Sequence, residues 1–443
     1  MTNHHTPDVA VIGAGTSGAA TALHCARQGM EVLCIDRRNL DRAGARWANN
    51  IPAWMFDSSA IKRPEAPEKL GDPSPIHLFA GRGPERIVIE DHRCIEVDMR
   101  RLVERLRHNA RQQGARFMGD VAVQEFDGEV LTTSKARIQA RWYVDASGLG
   151  GAGLVGLRRP GPADICTAAQ QVHSITDPDR ARRFFTDQGV PCGHTLCYGG
   201  LDGGYSVIHL RAHGTERIHI LTGSIPGEGC RSGRRILSAF IDANRDWIGD
   251  ELYGGASPIP LGRPVDRLAR GRVAVVGDAA FQVLSAHGSG VGAGLIAAKT
   301  LADALADGKG AQGYARRWQR SFGGLFAAYD IFRHFTASLS VHELAIMMKS
   351  GLLHPHLGSL SLRQVAPIPR RLLLPNPLPL VEAPQLLLNL GSTLSKMVRT
   401  ALLYRQYPED PKEVASWVKK VEQLFDNEVS PPPQRQAVPT PRR

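Results

Sequence analysis

The tightest constraint on this chain lies in its first 36 residues. Asp8-Val9-Ala10-Val11-Ile12-Gly13 is a β-rich apolar run ending on glycine, and Gly13-Ala14-Gly15-Thr16-Ser17-Gly18 follows directly. Small residues with helical character come next (Ala19 to Leu23), then a second apolar run, Glu31 to Ile35, closed by Asp36. Strand, glycine turn, helix, strand and acid in this order and spacing predict a dinucleotide-binding unit. Gly13 permits the tight turn, Gly15 lets a pyrophosphate approach the backbone, and Gly18 lets helix and strand pack closely. The helix N-terminus, at Thr16 and Ser17, supplies N–H donors and partial positive charge for the phosphates. Asp36 is placed to accept the hydroxyls of an adenosine ribose. Because it would repel a 2′-phosphate, Arg37 and Arg38 are read as flanking a plain adenosine diphosphate.

Composition agrees with a folded chain. Of 443 residues 42% are hydrophobic and 22% charged, which excludes global disorder and leaves enough for one large domain or two interlocked ones. No apolar run reaches the roughly 18 residues of a spanning helix. The polar start lacks the basic, apolar, small-residue order of a secretory leader, so the expected location is cytoplasmic. Seven cysteines form no CxxC pair and are expected as free thiols. The 16 histidines show no HExxH, and no metal site is predicted. The net charge is +11, and residues 331–443 hold 14 Lys and Arg against 8 Asp and Glu. The arginines are scattered in pairs without interleaved aromatics, so no specific nucleic-acid partner is expected.

Residues 39–95, with prolines at 52, 64, 67, 73, 75 and 84, read as irregular. A helix is expected over 98–113, then a β-meander over 122–126, 129–133 and 136–144. Strands follow over 165–175, 205–210 and 217–222, and a helix from Gly233 to about Asp250. A second strand, Arg272 to Val276, ends on Gly277-Asp278-Ala279-Ala280. Ser285-Ala286-His287-Gly288-Ser289-Gly290-Val291 then leads into an alanine-rich helix ending near Leu305. Asp278 at a strand tip can take the hydroxyls of a polyol chain, with a helix N-cap as the competing reading. Gly288, Ser289, Gly290 and Val291 can aim backbone N–H groups at a flat, electron-accepting ring.

Together with Asp145-Ala146-Ser147-Gly148, these segments resemble a large flavoprotein superfamily. It holds p-hydroxybenzoate-hydroxylase-type monooxygenases, geranylgeranyl reductases and flavin-dependent halogenases. The resemblance covers about residues 8–310. It implies an FAD held extended, with ADP on the first turn, the ribityl chain near Asp278 and the isoalloxazine over Gly288-Ser289-Gly290. The implied fold is α/β. A Rossmann-like FAD-binding domain (1–160 and 255–310, parallel sheet with β-meander) is interleaved with a mixed or antiparallel-sheet substrate domain (161–254). A helical C-terminal region (311–428) and a disordered tail (429–443) complete the chain. With no second clear βα glycine unit, NAD(P)H would visit only transiently as electron donor. The chain departs from the family at Met99, where an arginine is usual and Arg100 is the expected substitute, and at Ser285, where proline is common. Trp47, Trp54 and Lys62 do not reproduce the halogenase Trp-x-Trp-x-Ile-Pro stretch or its positioned lysine.

The resulting expectation is an FAD-dependent oxidoreductase acting on a bulky apolar small molecule. Monooxygenase-like hydroxylation or epoxidation, with NAD(P)H and oxygen, is placed slightly ahead of geranylgeranyl-reductase-like saturation of prenyl double bonds. Halogenase-like and non-catalytic FAD-binding roles rank below both. His287, inside the ring-proximal loop, is the candidate proton exchanger, against the plainer reading of a loop histidine bonded to backbone. Tyr205 and His209 share a face of an expected strand and are the candidate substrate contacts, with core packing as the alternative. Further on, the aromatic stripe from Trp318 to Phe335 reads as core packing. The Pro- and Leu-rich stretch 366–390 reads chiefly as chain wrapping its own domain, with a lid or a peripheral membrane contact beside Arg370 and Arg371 as alternatives. Val414 to Phe425 reads as an amphipathic final helix.

Overall fold

The computed structural model describes residues 3–71, 73–156, 160–366 and 378–425. The opening forms as expected, with β1 (Asn3–His5), β2 (Val9–Ile12), α1 (Thr16–Arg27) and β3 (Val32–Ile35). β2 and β3 are buried along their whole length, as strands covered on both faces are, and they pair in parallel.

The stretch 39–95 is not irregular. It holds β4 (Ala48–Pro52), α2 (Ala53–Ser58), β5 (Lys69–Gly71), β6 (Ile76–Ala80), β7 (Arg86–Ile89) and the start of β8 (Cys94–Asp98). Its prolines punctuate short strands instead of forbidding them: Pro52 ends β4, Pro75 precedes β6, and Pro84 lies in the turn before β7. Asp98 accepts from the Arg100 backbone N–H and caps α3 (Met99–Gln112), which buries Leu102, Val103, Leu106 and Ala110.

After β9 (Arg116–Met118) come β10 (Val123–Phe126), β11 (Val130–Thr133), β12 (Ala136–Gln139) and β13 (Trp142–Asp145). The single run expected over 136–144 is thus two strands. β12 stays in a four-stranded sheet, β1-β12-β11-β10, while β13 steps into the central sheet. The Tyr143 hydroxyl pins that step by accepting from the Ala140 N–H at 2.9 Å.

Next are β14 (Ile165–Ile175), α4 (Pro178–Thr186), β15 (Thr195–Gly199), β16 (Ser206–His213), β17 (Arg217–Ser224), α5 (Gly233–Asp242) and β18 (Ile248–Pro260). α5 ends well before Asp250, because Trp247 and Ile248 are drawn into the core under the next strand. The chain then runs through β19 (Ala269–Arg270), β20 (Val273–Val275), α6 (Val291–Ala306), α7 (Gly310–Trp318) and α8 (Gly324–Ser338). It ends in α9 (Val341–Lys349), α10 (Pro355–Leu362), α11 (Pro384–Arg405) and α12 (Val414–Phe425).

Two large sheets organise the molecule. The central one has the order β19-β20-β13-β2-β3-β9 and is parallel except at β19. Val11, Ile35, Val144 and Val275 pack there with Leu23 of α1 and Leu301 of α6. The other has the order β18-β14-β17-β16-β15-β6-β7 and is antiparallel except between β15 and β6. Its separate core contains Leu196, Leu210, Ile218, Ile220 and Trp247. This sheet recruits β6 and β7, which a boundary at 160 assigns elsewhere, and β18 runs straight through a boundary at 254. Phe79 of β6 is part of that core, so the backbone pairing and the packing agree.

Trp318, Phe326 and Tyr329 enter the main core, as their helical spacing predicts. Val414, Trp417 and Val421 of α12 pack on Tyr404 and Tyr407. Residues 367–377 and the tail 429–443 lie outside the described residues. The end of the Pro- and Leu-rich stretch is not broken chain: Pro384 opens the long helix α11, where its missing N–H costs nothing.

Candidate active site

β2, β13 and β20 are neighbours in a parallel sheet, so their C-terminal tips emerge side by side, where open α/β sheets bind ligands. Gly13 has φ +104°, and a Cβ there would lie 2.4 Å from the Ala146 carbonyl oxygen. A Cβ on Gly18 would lie 1.8 Å from the Gly13 carbonyl oxygen. These two glycines are demanded by packing. Gly15 is different: its φ is an ordinary −73°, and a Cβ would meet only Gly44, at 3.3 Å. Its bare backbone faces the cleft together with Thr16 and Ser17, all three half-buried.

Asp36 braces this turn. One carboxylate oxygen accepts from the Ala14 N–H and the other from the Arg38 N–H, both at 2.8 Å. Asp145 does the same for the middle tip, accepting from the Ser147 and Ala152 N–H groups at 3.1 Å each. Arg37 is exposed and points towards Gly150 in that tip's loop.

Ser17 joins the first turn to the third. A Cβ on Gly277 or on Gly294 would lie 2.4 Å or 2.3 Å from its Oγ. The loops at Gly15 and at Asp278, far apart in sequence, therefore stand next to each other. Asp278 is crowded by protein, which raises its carboxyl to about 6, yet its side chain remains accessible. That combination identifies the wall of a cleft. The N-cap reading of Asp278 does not hold, since Asp278 lies inside the short helical turn Gly277–Ala280, whose cap position is Val276.

The second glycine loop is tight, with the Gly288 N–H donating to the Leu284 carbonyl at 2.9 Å. Around Gly288 stand Leu261, Ile259 and the Tyr205 hydroxyl, 3.7 to 4.0 Å from where its Cβ would be. Tyr205 thus reaches the loop, one residue before β16 begins. His209 lies near His287 on the same side of the sheet, and burial first, His287 second, hold it at about 4. Its Nε2 is 3.4 Å from Cys197 Sγ. His287 is also held at about 4 by burial, and its Nε2 lies 3.1 Å from the Ser361 carbonyl. Both imidazoles are neutral at pH 7.

Sequence reasoning missed the cover of this loop. Residues 361–364, just at the end of α10, strap it down. Gln364 Nε2 donates to the Ser289 carbonyl at 3.4 Å, and Trp54 Nε1 donates to the Arg363 carbonyl at 2.8 Å. No local pattern announces such a contact between segments so distant. Arg100, expected near the cofactor, is held by Asp98 at 3.0 Å and stands 5.9 Å over the Tyr253 ring, while Met99 is fully buried. Farther along the face that carries Tyr205 and His209, Arg211 (3.0 Å) and His219 (3.7 Å) contact Glu96. With His213, Glu96 and His219 bring candidate ligand atoms within 4.8 Å of one another, a grouping no sequence spacing reveals.

The residues fit an extended flavin dinucleotide. Neither α1 nor α6 has a side-chain cap, so the N-termini of both helices facing the cleft are free to receive a ligand. Ser285 Oγ, Ser289 Oγ and Gln364 Oε1 are buried around the second loop without a hydrogen-bond partner in the protein.

The comparisons with known proteins agree. The FAD dependent oxidoreductase family matches residues 8–70. A digeranylgeranylglycerophospholipid reductase of Methanothrix thermoacetophila is 26% identical over 77% of this chain and 90% of its own length. Among solved structures, a geranylgeranyl bacteriochlorophyll reductase-like protein of Thermoplasma acidophilum superimposes with TM-score 0.67 at 15% identity, covering 87% of this chain and 100% of that one. A probable FAD-dependent monooxygenase of Pseudomonas aeruginosa gives 0.55 at 16% identity, over 80% of this chain and 100% of that one. Converging strand tips and a matched nucleotide turn give this chain an FAD-dependent oxidoreductase domain, and along three quarters of its length it is similar to geranylgeranyl reductases.

Proposed function

We propose that the chain saturates carbon–carbon double bonds in a long, apolar, prenyl-type molecule. The observation that carries this is the apolar wall facing the Gly288 loop, where Ile259 and Leu261 pack with Cys166, Ile225 and Val283 around Tyr205. The names of the relatives matching three quarters of the chain move the balance from oxygen insertion to reduction. FAD, when bound and reduced, supplies a hydride. The protein's residues do the rest. Gly15, Thr16 and Ser17 receive the diphosphate on a turn that Gly13 and Gly18 let close, with Asp36 and Arg37 towards the ribose. Asp278 takes the ribityl hydroxyls, and Gly288 to Val291 face the ring. The apolar wall excludes water. The proton for the second carbon is assigned to the Tyr205 hydroxyl, which burial keeps protonated. His287 and His209, neutral and already engaged, orient the loop and the wall. NAD(P)H is assigned to transient delivery of reducing equivalents.

The test is anaerobic. The photoreduced protein, mixed with a geranylgeranyl substrate under argon, should reoxidise its flavin and return a product that has gained two hydrogens per double bond. If reoxidation instead waits for oxygen and the product gains an oxygen atom, the monooxygenase reading replaces this one.

A further inference from the structure

We infer that the exposed side of α11, with the turn before it, docks on the surface of an anionic lipid bilayer. Twelve large hydrophobic side chains are exposed among the described residues, and seven of them fall within 378–402. Leu387, Leu394, Val398 and Leu402 recur at helical spacing and share one side of α11. That side lies about a quarter turn from the one on which Leu386, Leu390 and Tyr404 are buried. Leu388 and Val398 are 68% and 60% exposed, and Leu378 and Val381 in the preceding turn 76% and 78%. Single exposed leucines need no explanation, but a row of them along one helix marks an interaction surface.

Charge selects the partner. α11 carries Lys396, Arg399 and Arg405 and no acidic residue. Lys396, Arg399 and Lys420 line a groove of about 460 Å³ between α11 and α12, whose apolar floor is Leu402, Leu403 and Leu424. Basic side chains beside an apolar strip match phosphate headgroups beside acyl chains. A two-fold interface with a second copy would set these cations against themselves, whereas anionic headgroups complement them. No described helix is long and apolar enough to cross a membrane, so the contact is peripheral. It lies on α11, beyond the Arg370 and Arg371 around which the sequence placed it, and it does not depend on the proposed reaction.

Co-sedimentation of the flavin-loaded protein with vesicles tests this directly. Binding is expected to vesicles of phosphatidylcholine and phosphatidylglycerol in a seven-to-three ratio (roughly the charge density at which such contacts act), and not to phosphatidylcholine alone. Each basic residue near such a surface contributes roughly fivefold, so K396E/R399E should weaken binding at least twentyfold. L394E/V398E should abolish it. Both variants should keep the wild-type flavin content and melting temperature, since all four side chains are solvent-facing or half-exposed. Equal binding to neutral vesicles, absence of binding to either, or binding indifferent to both variants would each overturn the inference. So would a dimer in light scattering that L394E/V398E converts to monomer without any vesicle binding, which would assign the strip to a second copy.

Discussion

At the scale of single residues, the glycines of the first turn separate two roles that a motif search merges. Gly18→Ala drives a methyl group against the Gly13 carbonyl at 1.8 Å, so it should cost about 3 kcal/mol or more and lower the melting temperature whether or not flavin is present. Gly15→Val meets little and keeps an allowed backbone, so it should fold within about 1 kcal/mol of wild type yet purify colourless. Melting curves and flavin absorbance on the two variants distinguish fold from binding. Asp278 gives a third prediction. Its folded carboxyl is raised from 3.8 to about 6, so the native state binds the extra proton in that interval. This group's contribution is complete below 3.8 and lost as pH rises through 6. In flavin-free protein, Asp278→Asn should melt higher than wild type above pH 6 while retaining flavin at least about tenfold less well, readable by melting across pH and by equilibrium dialysis.

At the scale of elements, α8 acts as a bolt. Arg333 is fully buried and contacts Asp330 at 3.0 Å, Glu228 at 3.2 Å and Asp164 at 3.8 Å, tying the C-terminal helices to the turns that flank β14 and β17. Removing it takes the shared cation from the buried Asp330 and from the half-buried Glu228 and Asp164. Arg333→Met should destabilise by about 3–5 kcal/mol, with Arg333→Lys recovering only part because it cannot fork to three partners. Chemical denaturation midpoints would read the series. Elements whose signal is local were legible: α1 and β3 from the glycine turn, β14 from its strand-like run, and α12 from its apolar period. The strands of 48–98 were not, since they are short, proline-bounded and stabilised by partners as remote as β15. The strap at 361–364 and the α8 bolt were hidden for the same reason. Each is defined by what it touches, and none of those partners is close in sequence.

At the scale of the whole molecule, histidines dominate the acid response. His24, His77, His209, His213 and His287 are all lowered from 6.5 to about 4, chiefly by burial. For each the unfolded chain binds the proton first, so the stability it contributes is complete above pH 6.5 and is lost as pH falls towards 4. Asp278 works the opposite way but is one group against five. Thermal melts should therefore fall steadily over that interval, at up to about 1.4 kcal/mol per pH unit per histidine, and His24→Gln should flatten the slope. The two sheets and their order were only partly foreseeable. The parallel core followed from two glycine-tipped strands, whereas nothing local tells β6 and β7 to leave the N-terminal half for the other sheet.

The central sheet also sets a timetable. β13 sits between β2, made at the very start, and β20, made far later, so a ribosome holds a half-finished platform with one open edge for much of synthesis. Until α6 emerges and Gly294 closes on Ser17, no pocket exists for the coenzyme to fill. A truncated message ending before β20 should thus yield an insoluble, flavin-free product, and starving cells of riboflavin should harm only completed chains.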